Sequence, residues 1–233
     1  MSSSVEFLGE QQGLGIHRLP IEWSAYFAVH EPSSAEDKPP PLLIATHGYG
    51  QSAKSFMRNL EPLRNKHVLI VSAQAPNQFY WQQGQPPKIG YSWMTSYMRE
   101  YTIQNNLGYM ARLWDTLRER WRFDERRVFL LGFSQGSAMA YRLAASGILR
   151  PAGVIACGGD LPPDVEDQLG DIEKFPVLVT HGEQDASMSH EKAVEGEQAL
   201  RKAGFDVSTQ YFQGEHDLPP EEVERIWEWV ETR

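Results

Sequence analysis

Arg127-Val-Phe-Leu-Leu-Gly-Phe-Ser134-Gln-Gly136 sets a short apolar run directly before a serine that has glycine two positions away on either side. Val128–Leu131 suits a buried strand, and Ala138, Met139, Tyr141, Leu143, Ala144 and Ala145 carry helical apolar content until Gly147 ends it. A strand that turns straight into a helix strains its turn residue, and small residues at 132 and 136 let the two elements approach closely. That geometry pushes the Ser134 hydroxyl into the open. The Gln135 amide would then sit at a helix N-terminus, where unpaired N–H groups and the macrodipole favour negative charge.

A serine hydroxyl is a weak nucleophile at neutral pH, so it needs a neutral imidazole to take its proton and a carboxylate to orient that imidazole. In the α/β-hydrolase order, the acid and then the histidine follow the serine on loops after later strands. Phe175-Pro-Val-Leu-Val-Thr-His181-Gly-Glu-Gln-Asp185 is an apolar strand opening into a loop, and Asp185 is its best acid, with Glu183 as substitute. Val207-Ser-Thr-Gln-Tyr-Phe212 alternates as a strand does, and the loop after it carries His216, the best base. His181 reads as a packed or hydrogen-bonded structural histidine and His190 as a residue near the cap of the next helix. Asp217 is too close to His216 in sequence to orient it, Asp160 precedes the expected acid strand, and Asp206 sits at a helix-to-strand turn.

An oxyanion hole needs a second N–H. Leu42-Leu-Ile-Ala-Thr-His47-Gly48-Tyr49-Gly50-Gln51 supplies an early strand and a glycine-rich turn, which makes the Tyr49 amide the expected partner of the Gln135 amide. By itself this turn also fits a simple need for positive φ.

His47-Gly-Tyr-Gly50, Ala75-Pro76, Trp93, Gly132-Phe-Ser-Gln-Gly136, His181-Gly-Glu-Gln-Asp185 and His216 together resemble the phospholipase/carboxylesterase family of small α/β-hydrolases, which includes acyl-protein thioesterases and bacterial carboxylesterases. Almost the whole chain fits. The resemblance implies Ser134 as nucleophile, Asp185 and His216 as its partners, and the amides of Tyr49 and Gln135 as the oxyanion hole. It departs from the family pattern at Gln51, where aspartate often stands, and at Ser137, where a third glycine is usual.

The chain has 233 residues, 41% of them hydrophobic, which is ordinary for a single α/β-hydrolase domain over 1–233 with a mainly parallel sheet and helices on both faces. Twenty-two basic and 31 acidic residues leave a net charge of −9, which disfavours nucleic acid or anionic membrane as partner. The densest basic stretch, Arg118, Arg120, Arg122, Arg126 and Arg127, is interleaved with Asp115, Glu119, Asp124 and Glu125 and reads as a solvated helix end. The single Cys157 lies in a buried-strand pattern and reads as an inert core thiol. No Cys/His spacing suits a metal, and the expected chemistry needs no cofactor. The start, Met1-Ser-Ser-Ser-Val-Glu-Phe-Leu-Gly-Glu10, does not read as a signal peptide and no run reaches membrane-spanning length, so a cytoplasmic protein is expected, monomer or homodimer.

The order along the chain is mostly strand then helix. An early antiparallel strand is expected at Ala25–Val29, an exposed connection at Ser33-Ser34 and Pro39-Pro-Pro41, and strands at Leu42–Thr46, Val68–Ser72, Val128–Leu131, Val154–Cys157, Val177–Thr180 and Val207–Phe212. Helices are expected at Ala53–Asn65, Ile103–Trp121, Gln135–Ser146, His190–Ala203 and Pro220–Glu231, the last with Val223, Ile226, Trp227 and Val230 as its core stripe. Between Ala75 and Tyr101 periodicity is lost and aromatics gather around Gly84, Pro86, Pro87 and Gly90. This segment reads either as a lid or pocket wall, with Phe79, Trp81, Trp93 and Met94 lining an apolar acyl site, or as a surface loop pinned by its own rings. The residues therefore predict a serine hydrolase acting on small-molecule carboxylic esters or thioesters. An amide hydrolase on the same residues, or a non-catalytic relative binding a ligand or partner in the old pocket, are the alternatives.

Overall fold

The computed structural model describes residues 5–11, 14–32, 37–82 and 85–233. Met1–Ser4, Ser33-Ser34 and Gly84, on which three of the expectations fall, lie outside them. The chain opens with an antiparallel ribbon, β1 (Glu6–Gln11) and β2 (Leu14–Arg18), with a bulge between Phe7 and Gly9. Next come β3 (Phe27–His30), β4 (Leu42–Thr46), α1 (Ala53–Asn59), a 3₁₀ turn at Glu61–Leu63 and β5 (Leu69–Ala73). A second ribbon follows, β6 (Asn77–Gln82) and β7 (Lys88–Ser92), then α2 (Arg99–Arg120), β8 (Val128–Phe133) and α3 (Gln135–Ala145). The remainder is β9 (Gly153–Cys157), α4 (Pro163–Glu166), β10 (Val177–Gly182), α5 (His190–Lys202), β11 (Val207–Phe212) and α6 (Pro220–Glu231).

The main sheet has the order β11-β10-β9-β8-β4-β5-β3, parallel except for β3, which runs against β5 at the edge. Its central strands are apolar at nearly every position because both faces are covered. Leu42, Ile44, Val128 and Leu130 point into a core shared with Met110, Leu113 and Leu117 of α2 and Met139 and Leu143 of α3. Leu43, Ala45, Phe129 and Leu131 point the other way, onto Phe56 of α1 and Val223, Ile226, Trp227 and Val230 of α6. The expected stripe of the last helix is thus core.

Several expectations need correction. The helix beginning at Ala53 stops at Asn59, because Pro62 lacks an N–H and cannot continue a helical ladder. Pro40 and Pro41 are buried rather than exposed: their carbonyls accept the amides of Asp124 and Leu69 at 2.9 and 3.0 Å. The segment from Ala75 to Tyr101 is no structureless loop, for it contains the β6–β7 ribbon and the first turn of α2, including Tyr101. β6 is exposed at every position but Phe79, so it carries no alternation that a sequence could display. The basic stretch is largely solvated, with Arg118 on Glu125 and Arg126 on Asp124, both at 3.2 Å. Arg127 differs, donating to the carbonyls of Val230 and Arg233 at the end of α6. Among the described residues, no helix is long and apolar enough to cross a membrane.

Candidate active site

Ser134 joins β8 to α3 at φ 53°, ψ −122°, a conformation that costs a non-glycine residue on the order of 1–3 kcal/mol. The surrounding packing enforces it. A Cβ on Gly132 would lie 2.4 Å from the Gly136 carbonyl oxygen, and one on Gly136 would lie 1.9 Å from that of Thr46, so strand, helix and β4 meet only because both positions are glycine. Ser137, the departure from the family pattern, donates its hydroxyl to the carbonyls of Gly132 and Cys157 at 2.9 and 3.1 Å and ties the first turn of the helix to two strands.

His216 stands in the loop after β11. Its Nε2 is 2.9 Å from Ser134 Oγ and its Nδ1 is 2.6 Å from Asp185 Oδ2. Asp185 is acceptor-only when ionised, so Nδ1 carries the proton and Nε2 is left to accept from the serine hydroxyl. The Phe133 ring lies 5.0 Å from the imidazole and fixes its plane from below the elbow. The two loops are joined where a Cβ on Gly182 would fall 2.3 Å from the Glu215 carbonyl oxygen, and the Gln184 amide donates to the Gly214 carbonyl at 2.9 Å.

Asp185 is buried. Desolvation pushes its pKa up, but the amides of Met188 and Ser187, each donating to Oδ1 at 2.8 Å, together with His216 outweigh burial and hold it below the ordinary carboxylate value. The competitors lie elsewhere. Glu183 receives the side-chain amide of Gln213, Asp160 lies 3.9 Å from Lys192, and Asp206 lies 3.5 Å from Arg233. His190 begins α5 and packs on Tyr211, while His181 is fully buried beside Gly182.

The loop after β4 lies against the elbow, since a Cβ on Gly48 would sit 3.2 Å from that of Ser134. Its amides are mostly committed: Gly48 donates to Gln51 Oε1 at 2.9 Å, Gly50 to the Tyr91 carbonyl at 2.9 Å and Gln51 to the Gly48 carbonyl at 3.2 Å. Among the described residues, no acceptor takes the amide of Tyr49 or of Gln135. Gln51, the other departure, therefore uses its side chain to shape this turn. His47 is fully buried; desolvation lowers its pKa from 6.5 to about 4, against a bond from Nδ1 to the Gly48 carbonyl at 2.8 Å, and Nε2 accepts the Ala75 amide at 3.0 Å.

The four expected pocket residues divide. Phe79 stacks on Tyr49 at 4.8 Å and Trp81 meets it edge-on at 5.5 Å, leaving Tyr49 and Trp81 each 47% exposed beside the loop. Trp93 is 0% and Met94 7% exposed, so neither lines an open pocket. Trp93 instead donates its indole N–H to the His47 carbonyl at 2.9 Å and its amide to Gln135 Oε1 at 2.8 Å, while Gln135 Nε2 donates to the Met94 carbonyl at 2.9 Å. The Gln135 side chain thus clamps the elbow to the end of β7. Asn106 of α2, donating to the Trp93 carbonyl at 2.6 Å, was signalled only by being an amide within an apolar helix face.

Cys157 is buried and free, and desolvation raises its pKa, as suits an unreactive thiol. Among the described residues, no group of three or more His, Cys, Asp or Glu side chains could hold a metal ion.

Solved structures share this architecture. Esterase PE8 superposes with a TM-score of 0.71 at 20% identity, covering 90% of this chain and 99% of that one. Acyl-protein thioesterase 2 of Zea mays gives 0.67 at 17% identity, over 90% and 99%, and the Bacillus cereus carboxylesterase gives 0.67 at 16%, over 89% and 94%. At such identities these likenesses establish the α/β-hydrolase fold. The phospholipase/carboxylesterase family matches residues 25–233, which include the elbow, the His47–Gln51 loop and both loops that meet at His216, and the chain belongs to that family of hydrolases.

Proposed function

We propose that the chain is a cofactor-independent serine hydrolase that cleaves carboxylic esters or thioesters through an acyl-Ser134 intermediate. The observation that carries this reading is the His216 imidazole held between Ser134 Oγ at 2.9 Å and Asp185 Oδ2 at 2.6 Å. His216 Nε2 takes the hydroxyl proton as Oγ attacks the carbonyl carbon, then gives it to the departing alcohol or thiol. A water enters, loses a proton to Nε2 and attacks the acyl carbon, and the proton returns to Oγ as the acid leaves. Asp185 stabilises the imidazolium formed in each half. The amides of Tyr49 and Gln135 bind the tetrahedral oxyanion, where losing one donor costs roughly 10²–10³ in rate. Tyr49, Phe79 and Trp81 supply an apolar wall for the acyl or leaving group.

The test is kcat/KM for nitrophenyl esters from acetyl to dodecanoyl, with Ser134→Ala and His216→Ala beside the wild type. Turnover that vanishes in both variants, at nearly unchanged thermal stability, supports the reading. Retained turnover in either variant overturns the assignment, and no turnover at any length points to an amide substrate or to a binding protein.

A further inference from the structure

Strands β4 and β10 end alike, in Thr46-His47-Gly48 and Thr180-His181-Gly182. Both histidines are fully buried, and each turns Nδ1 onto the carbonyl of the following glycine, at 2.8 Å for His47 and 3.0 Å for His181. A bond to a carbonyl requires the proton on Nδ1, which leaves Nε2 as an acceptor in both rings. His47 uses that acceptor on the Ala75 amide at 3.0 Å. His181 Nε2 has no hydrogen-bond partner among the described residues and faces Asp185 Oδ2 at 3.7 Å, the same oxygen that His216 Nδ1 holds at 2.6 Å.

We infer that His181 is a positioning residue for Asp185: its ring, held by the Nδ1 bond to the Gly182 carbonyl, turns an acceptor rather than a donor to Oδ2 and so leaves that oxygen to His216. The inference rests on the proposed role of Asp185. In the singly protonated ring a lone pair faces Oδ2, so the carboxylate gains nothing by turning back and stays on His216. A donor at this place would do the opposite, because an N–H aimed at Oδ2 in a buried site competes with His216 Nδ1 for the same oxygen. The negative charge that would stabilise imidazolium at His216 is then shared.

Other elements close around the ring. Asp185 faces the ring from the loop after β10, Asp160 acts on it from the loop after β9, and Glu191 acts on it from α5. His190 of α5 packs on it at 5.7 Å, backed by Tyr211 of β11, whose hydroxyl donates to Glu197 at 2.6 Å. His190 and Asp185 also line a polar cavity of about 420 Å³, which brings solvent to within one ring of His181.

The test is kcat and KM at about pH 8 in the wild type and in His181→Gln. In His181→Gln the side-chain amide brings an N–H to Oδ2, and kcat falls severalfold with KM little changed. An unchanged kcat overturns the inference, and a merely structural His181 would lower stability without changing kcat. Should the variant not fold, ¹⁵N-histidine NMR on the wild type decides: the inference expects the His181 proton on Nδ1 alone at about pH 8. A proton on Nε2 overturns it. Absence of any Ser134-dependent turnover strikes the proposed hydrolase instead, and the NMR result still tests the histidine.

Discussion

The indole N–H of Trp93 donates to the carbonyl oxygen of His47 at 2.9 Å, so a buried ring from the segment after β7 fixes the loop that carries Tyr49. The same residue's amide is held by Gln135 Oε1, which follows the candidate nucleophile. The two proposed oxyanion donors, far apart in sequence, are therefore set in place through one tryptophan.

Trp93→Phe keeps most of the volume and removes the donor. The His47 carbonyl then loses its buried partner, which costs about 1–3 kcal/mol of stability. Because the Tyr49 amide loosens, kcat should fall more than KM rises. Urea unfolding and nitrophenyl-ester kinetics on the variant check both parts; a raised KM at full kcat would return Trp93 to the role of pocket residue.

Ser134→Gly separates strain from chemistry. At φ 53° any side chain is strained, and removing it relieves roughly 1–3 kcal/mol, less the entropy glycine adds to the unfolded chain. Turnover should vanish in both Ser134→Ala and Ser134→Gly, while the glycine variant unfolds at a stability about 1 kcal/mol higher than the alanine variant. Equal stabilities would mean that the elbow relaxes once the hydroxyl is gone.

His47 ties stability to pH. Its pKa falls from 6.5 to about 4 on folding, chiefly because burial disfavours the cation. Between those values the unfolded chain binds a proton that the folded chain refuses, so stability declines as pH falls from about 6.5 to about 4, by about 3 kcal/mol, and then levels for this group. Asp185 acts in a different window: its lowered pKa contributes stability above the ordinary carboxylate value that is lost as pH falls through the folded-state value. Urea midpoints at about pH 7 and about pH 4.5 should differ more in the wild type than in His47→Gln, whose side chain does not titrate.

The elbow was legible because its constraint is local: Gly132, Ser134 and Gly136 must carry their own conformations whatever surrounds them. Asp185 and His216 were legible because each follows an apolar strand that announces where its loop begins. The roles of His47 and His181 were not, since both stand in the same Thr-His-Gly tripeptide and differ only in what packs against Nε2, an amide from β5's loop in one case and a carboxylate in the other. Trp93 was placed in the pocket for its ring, whereas its N–H and its burial under α2 decide its role. Such contacts are made across the sheet, and no spacing encodes them.

Trp81→Ala tests the apolar wall without touching the proposed chemistry. The ring is about half exposed and caps Gly50, which has φ +80° and on which a Cβ would lie 2.8 Å from the indole. Its loss should cost on the order of 1–2 kcal/mol of stability, because about half of its area is buried against Tyr49, Phe79 and Gly50. A substrate that covers the exposed half loses on the order of 1–1.5 kcal/mol of apolar contact, a fall in kcat/KM of about tenfold carried mainly by KM. The loss should grow along the nitrophenyl series from acetyl to longer acyl groups if the acyl chain lies on the ring, and should stay constant along it if the leaving group does. An unchanged kcat/KM at every length would remove the β6–β7 ribbon from the substrate site and leave its aromatic rings the task of bracing Tyr49.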